Sequence, residues 1–236
     1  MTSRTLAEKP TPDRKPHVGH DERPWWRQRW LTIAAGYCLA FLTGMAVAAW
    51  VKHSGDWTHG ARWERRLIVL THAHIPGWLD TLIYAAPWLG TNITLIPGVI
   101  VGVWWLWRRL HRPHLAMRLL IVQIGSYSLN PALKDLYDRD RPDLVPRRGW
   151  YGWSSFPSGH AIASIAVLFT VALILYRERG WRWPFYVLIP LSLLSLYSRI
   201  YLGVHWPTDV IAGALVGIVW LGMTSLAFRE GARRLR

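Results

Sequence analysis

The chain has 236 residues, 51% of them apolar and 18% charged, and its 28 Lys and Arg against 14 Asp and Glu give a formal net charge of +14. Such a composition excludes disorder for the chain as a whole. It also argues against a nucleic-acid partner: the cations fall between long uncharged blocks instead of forming a stripe on a soluble fold, which is the layout of an integral membrane protein.

Residues 1–24 carry Pro10, Pro12, Pro16 and Pro24 among polar and charged residues, a composition unable to bury a core, and read as a disordered cytoplasmic tail ahead of a membrane domain at 25–236. Trp30 to Val51 is a block of 22 residues without charge, close to the ~20 needed to cross a bilayer and too long for a signal-peptide core, so it is expected to stay as an anchor. The only cysteine, Cys38, lies inside it; no intrachain disulfide is possible and packing is its expected role. Residues 52–78 mix charge with a partial helical stripe of Trp63, Leu67, Val69, Leu70 and His74, which predicts a helix lying on the membrane surface. Thr81 to Trp107 is uncharged for 27 residues but broken by Pro87, Gly90, Pro97 and Gly98. The expected division is a short surface piece to about Leu89 and a second crossing over 92–107.

A third crossing is predicted over 115–132, its polar end of Gln123, Ser126, Ser128 and Asn130 leading into a charged loop. The fourth is expected over 158–176, a short fifth over 184–198, and a sixth over 207–228. The fold class is thus all-α, a polytopic membrane protein with six transmembrane helices, interfacial helices between the first and second, and both termini on one side. The 17 Trp gather mostly at block edges, where amphipathic rings meet lipid headgroups. On this topology 18 of the 28 Lys and Arg share the side of the termini, which should therefore face the cytoplasm of a bacterial-type inner membrane. Lys134, Arg141, His160, Arg199 and His205 then fall on the outer face.

Three segments on that face have a chemical character that membrane packing does not explain: Lys134-Asp-Leu-Tyr-Asp-Arg-Asp-Arg141-Pro142, Pro157-Ser158-Gly159-His160, and Ser198-Arg199 followed by His205 and Asp209. A phosphoryl group needs fixed cations and N–H donors around its equatorial oxygens. Lys134, Arg141 and Arg199 supply the cations, and Ser158 and Gly159, at a helix start, offer backbone N–H groups and room for close approach. Asp209 lies four residues after His205, so its carboxylate can fix the ring tautomer that leaves the other nitrogen as nucleophile. His160 can donate a proton to the leaving oxygen.

These segments resemble the three signature motifs of the type 2 phosphatidic acid phosphatase superfamily, K-x6-R-P, P-S-G-H and S-R-x5-H-x3-D, and match every fixed position between residues 134 and 209. The resemblance implies that Lys134, Arg141, Ser158, Gly159 and Arg199 hold the phosphate, that His205 is the nucleophile, His160 the general acid and Asp209 the carboxylate orienting His205. It implies a six-helix membrane enzyme working without a metal or cofactor on a lipid phosphate within the bilayer. Undecaprenyl diphosphate is the favoured substrate, because an outward-facing site suits carrier recycling; phosphatidylglycerol phosphate, phosphatidate and lipid A 1-phosphate are alternatives.

Other readings compete. A metal held by His160, His205 and Asp209 would be repelled by three nearby cations. Thr71-His72-Ala73-His74 has a metal-binding spacing on a strand, but on a helix the two rings point apart. Arg139, Arg147 and Arg148 either steer anionic lipid or are ordinary surface charges, and Asn130 either positions Lys134 or satisfies the helix end. A vanadium-dependent haloperoxidase would share the motifs, but those enzymes are soluble. A lipid transporter would use the basic site for binding without catalysis. Nothing in the sequence bears on oligomeric state.

Overall fold

An apolar segment in lipid satisfies its backbone only as a helix or a closed barrel, and every regular element among the described residues is helical. The structure is a computed structural model describing residues 25–229 apart from 56, 74 and 150; the predicted tail at 1–24 and His74 lie outside the described residues. Helix α1 is Trp25–His53, α2 Arg62–Ala73 and α3 Gly77–Ala85, continued by a 3-10 turn at Ala86–Gly90. Next come α4, Asn92–Trp104, with a π-helical end at Trp105–Arg109, and α5, Pro113–Leu136. Helices α6, Gly159–Ala163, and α7, Phe169–Arg179, are joined through a π-helical turn at Ser164–Leu168, and α8, Trp183–Tyr201, and α9, Pro207–Ala227, complete the fold.

Three helical rods are long and apolar enough to cross a membrane: Arg27–His53, Gly159–Arg179 and Pro207–Ala227. A fourth qualifies if the pair Gly77–Gly90 and Asn92–Arg109, bent by 54° at the break, counts as one span. The bend falls at Gly90, one of the expected interruptions, whereas Pro97 lies inside α4. All six predicted crossings coincide with helices, although α5 and α8 do not meet the same test of length and composition.

Lipid supplies little hydrophobic drive between helices, so close packing through small residues holds such bundles together. On α1 the stripe Ile33, Ala40, Ala48 and Val51 is buried, while Gly36 and Gly44 on the same side sit against Met223 of α9 and Leu133 of α5. On α9, Gly213 lies against the Ser158 carbonyl and Gly217 against the Ile162 carbonyl. These glycines let α9 lie almost backbone to backbone on α6. Ser158 N–H then donates to the Asp209 carbonyl at 3.0 Å, so the starts of the two helices meet at one end of the bundle.

Helix α2 carries its expected apolar stripe outward: Trp63, Leu67, Val69 and Leu70 are exposed. Its opposite face, with Glu64 and Ile68, is completely buried.

Candidate active site

Chain 137–158 leaves α5 and turns back over the helix ends. Arg141 anchors that turn: Nε donates to the Gly152 carbonyl at 2.9 Å, Nη2 to the Ser154 carbonyl at 2.8 Å, and Nη1 to the Val204 carbonyl. Lys134 Nζ, from the last turn of α5, donates to the same Ser154 carbonyl at 2.5 Å. Burial pulls the Arg141 guanidinium down to about 10, with the Asp209 carboxylate acting in the opposite direction. It remains a cation at neutral pH.

His205 sits in the tight link between α8 and α9. The Arg199 carbonyl at the end of α8 accepts the N–H groups of Val204 and His205 at 3.2 and 3.3 Å. Gly203 turns the link with φ at +67°, and the Val145 side chain fills the space where a Cβ would stand. A side chain at 203 would meet both penalties. Asp209 follows in the first turn of α9, its Oδ2 accepting the Trp206 N–H at 2.8 Å and the Ser155 hydroxyl. The same oxygen lies 3.6 Å from His205 Nδ1. On the ring's other side Nε2 is 3.5 Å from Arg141 Nη1. Burial first, then the cations Arg141, Arg199 and Lys134, hold the imidazole well below its ordinary value of 6.5, opposed by the Ser155 backbone. The ring is neutral at neutral pH, with Nδ1 toward a carboxylate and Nε2 toward the cations.

Of the eight residues expected at the site, Lys134, Arg141, Gly159, His160, Arg199 and His205 line one polar cavity of about 530 Å³, together with Asn130, Asp135, Tyr151 and Trp153. Ser158 and Asp209 stand behind this lining, both fully buried. The Ser158 N–H donates to the Asp209 carbonyl, so its backbone ties α6 to α9. Its Oγ is buried without a hydrogen-bond partner. A Cβ at Gly159 would strike the Asn130 amide at 2.6 Å, so this glycine leaves room for a neighbouring side chain as well as for a ligand.

A second cavity, about 370 Å³ and mostly apolar, adjoins the first. Tyr84, Pro87, Trp88, Ile93 and Leu202 line it, and His160 and Arg199 belong to the walls of both. The Arg148 guanidinium lies over the Tyr84 ring and forks onto Asp80 at 2.6 and 3.1 Å, while Tyr201 donates to the same carboxylate at 2.7 Å.

Two residues at the heart of the site escaped the sequence reading. Arg139 is neither a steering nor a surface charge: fully buried between the Trp57 and Trp206 rings, it donates to Asp209 Oδ1 at 2.6 Å and Thr208 Oγ1 at 2.7 Å. Glu64 of α2 lies 3.5 Å from its Nη2. Arg148 is the clasp just described, and Arg147 holds the carbonyls of Pro142 and Arg141 in its own loop. His72, from the histidine pair considered for a metal, has Nδ1 3.4 Å from the Tyr201 carbonyl. Among the described residues no three His, Cys, Asp or Glu side chains converge as metal ligands.

A sequence model described as the PAP2 superfamily matches residues 115–232. The chain is 33% identical to the putative undecaprenyl-diphosphatase YbjG of Escherichia coli, over 65% of this chain and 75% of that one. It is 30% identical to phosphatidylglycerophosphatase B of Bacillus subtilis, over 67% and 79% respectively. Among solved structures, the transmembrane PAP2 type phosphatidylglycerolphosphate phosphatase of Bacillus subtilis shares the fold with a TM-score of 0.69 at 24% identity, covering 85% of this chain and 98% of that one. The matched stretch contains every residue that lines the polar cavity, and the chain belongs to the PAP2 superfamily as a membrane phosphatase of that type.

Proposed function

We propose that this phosphatase releases phosphate from a membrane lipid in two steps, through a phosphohistidine at His205. In the first, His205 Nε2 attacks phosphorus, the bond to the lipid oxygen breaks, and His160 delivers a proton to that oxygen. In the second, His160 takes a proton from water as the water attacks phosphorus, the P–N bond breaks, and inorganic phosphate leaves. Lys134, Arg141 and Arg199, with the Gly159 backbone and the Ser158 hydroxyl, hold the phosphoryl oxygens, and Asp209 keeps the His205 tautomer. The pocket's own side chains supply the charge this needs, which favours a reaction without metal or cofactor.

One observation carries the lipid reading: His205 lines the polar cavity alone, whereas His160 lines both that cavity and the apolar groove. In-line displacement puts nucleophile and leaving group on opposite sides of phosphorus. A leaving group next to His160 therefore continues into the groove of Tyr84, Trp88, Ile93 and Leu202, which suits a hydrocarbon tail and leaves a freely soluble phosphoester without contacts. This speaks for catalysis over lipid transport.

The topology we infer has six crossings, α1, α4, α5, α6 with α7, α8 and α9, with α2 and α3 at the interface. Both termini are cytoplasmic and the site opens outward, as the excess of Lys and Arg on the opposite side requires. Undecaprenyl diphosphate is the favoured substrate; the relative named as a putative undecaprenyl-diphosphatase supports it and the phosphatidylglycerophosphatase supports the first alternative. Phosphate release by the purified protein from undecaprenyl diphosphate, phosphatidylglycerol phosphate, phosphatidate and lipid A 1-phosphate tests the assignment. The account expects the diphosphate to have the highest kcat/KM, and intact cells to hydrolyse an impermeant short-chain analogue. Release from a soluble sugar phosphate alone would overturn the lipid reading, and hydrolysis only after lysis would overturn the orientation.

A further inference from the structure

Glu64 lies outside every motif, on a helix that contributes nothing to the lining of the polar cavity. Its carboxylate is nevertheless fully buried and reaches toward the nucleophile through two charged groups. Glu64 Oε2 is 3.5 Å from Arg139 Nη2, Arg139 Nη1 is 2.6 Å from Asp209 Oδ1, and Asp209 Oδ2 is 3.6 Å from His205 Nδ1. We propose that Glu64 is a positioning residue for the nucleophile: its charge offsets Arg139, so that Asp209 acts on the His205 ring with its own charge little diminished. The proposal rests on the phosphohistidine reading.

Asp209 Oδ2 is held by the Trp206 N–H and the Ser155 hydroxyl, while the Arg139 guanidinium, 2.6 Å from the other carboxylate oxygen, cancels much of the carboxylate's field at His205 in a site with little solvent screening. A second carboxylate on the far side of the guanidinium restores it. A neutral oxygen at Glu64 Oε1 would serve equally well for the Thr208 N–H and hydroxyl, which it accepts at 3.0 and 2.7 Å. Only the contact with Arg139 requires a charge. The need arises in the first step: as Nε2 shares its lone pair with phosphorus while Nδ1 keeps its proton, the neutral ring becomes cationic, and breaking the P–N bond returns it to neutral. Negative charge behind the ring therefore favours phosphoenzyme formation and does little for substrate affinity, which rests on the cations in front.

The test uses the full-length enzyme in detergent with p-nitrophenyl phosphate, reading kcat, KM and the rapid-quench rate of phosphoenzyme formation. Glu64→Gln keeps the shape and the acceptor oxygen for Thr208 and removes the charge, together with the bond that Oε2 accepts from the Ala61 N–H at 2.9 Å. It should lower kcat and phosphoenzyme formation together, by roughly 10- to 100-fold, less than losing a direct contact to the reacting group, with KM within about twofold. Adding Arg139→Gln also removes the cation that Glu64 offsets and should recover most of the loss, whereas a scaffold would be damaged further by a second change. Thr208→Val, which spares the charges, should stay within about threefold of wild type. A rise in KM matching the fall in kcat, a double variant worse than Glu64→Gln, or an equally damaged Thr208→Val would overturn the proposal. Should Glu64→Gln not fold, the double variant decides: near-wild-type phosphorylation supports the charge account and an inactive protein contradicts it. Absence of label on the wild-type enzyme would remove the phosphohistidine reading itself, and the proposal with it; label on wild type with Glu64→Gln unchanged would defeat the proposal alone.

Discussion

His205 and His160 look equivalent in the sequence, and their surroundings separate them. His205 has a carboxylate behind Nδ1 and a guanidinium before Nε2, whereas His160 stands in the wall between a polar and an apolar cavity. Because burial and the cations depress the His205 pKa well below 6.5, and in the proposed mechanism only the neutral ring attacks, activity should be lost as pH falls through that lowered value and not before. A kcat profile taken downward from neutrality, corrected for the substrate's own ionisation, should therefore hold through pH 6.5 and decline only in more acid solution. A decline centred at or above 6.5 would show a ring without the burial described. The motif residues were legible because phosphoryl transfer demands particular side chains at particular spacings. Glu64 and Arg139 were not. Arg139 stands between Asp138 and Asp140, and Glu64 among Arg62, Arg65 and Arg66, so each reads locally as solvated charge. Their pairing joins positions 75 residues apart, a separation that local pattern does not encode.

Helices were predicted where the structure has them, since uncharged blocks near 20 residues leave lipid-exposed backbone no other course. What the blocks do not encode is which face turns inward. In a soluble helix the apolar stripe marks the core, but next to lipid it marks the outside, and α2 illustrates the inversion: Trp63, Leu67 and Leu70 are exposed while Glu64 is buried. Glycines were the better guide to contact. Gly213 abuts the Ser158 carbonyl and the Ala161 side chain, whereas Gly222 on the same helix has open space. Gly213→Ala should therefore cost about 1–3 kcal/mol through overpacking, and activity should fall further than stability does, because α9 carries Asp209 and α6 carries His160. Gly222→Ala should be neutral or slightly stabilising, as alanine is the better helix former. Thermal melting with the activity assay checks both, and equal behaviour of the two variants would contradict the packing of α6 on α9.

At the scale of the whole molecule, the bundle brings three motifs spread over residues 134–209 to one end and sets an apolar groove beside them. The motif convergence was legible; the groove was not, since Tyr84, Trp88 and Ile93 come from the bent segment that sequence divided without assigning it a function. That architecture serves one proposed chemical event, transfer of a lipid's phosphate onto His205. Rapid quenching under non-acidic conditions, with substrate labelled in the transferred phosphate, measures it directly. Label should be trapped on the wild-type protein, and on His160→Ala when the leaving group is an activated one such as p-nitrophenolate, which needs no proton. His205→Ala should carry none and should lose activity on every substrate. Labelled phosphate on a protein lacking His205 would assign the nucleophile elsewhere and contradict the mechanism.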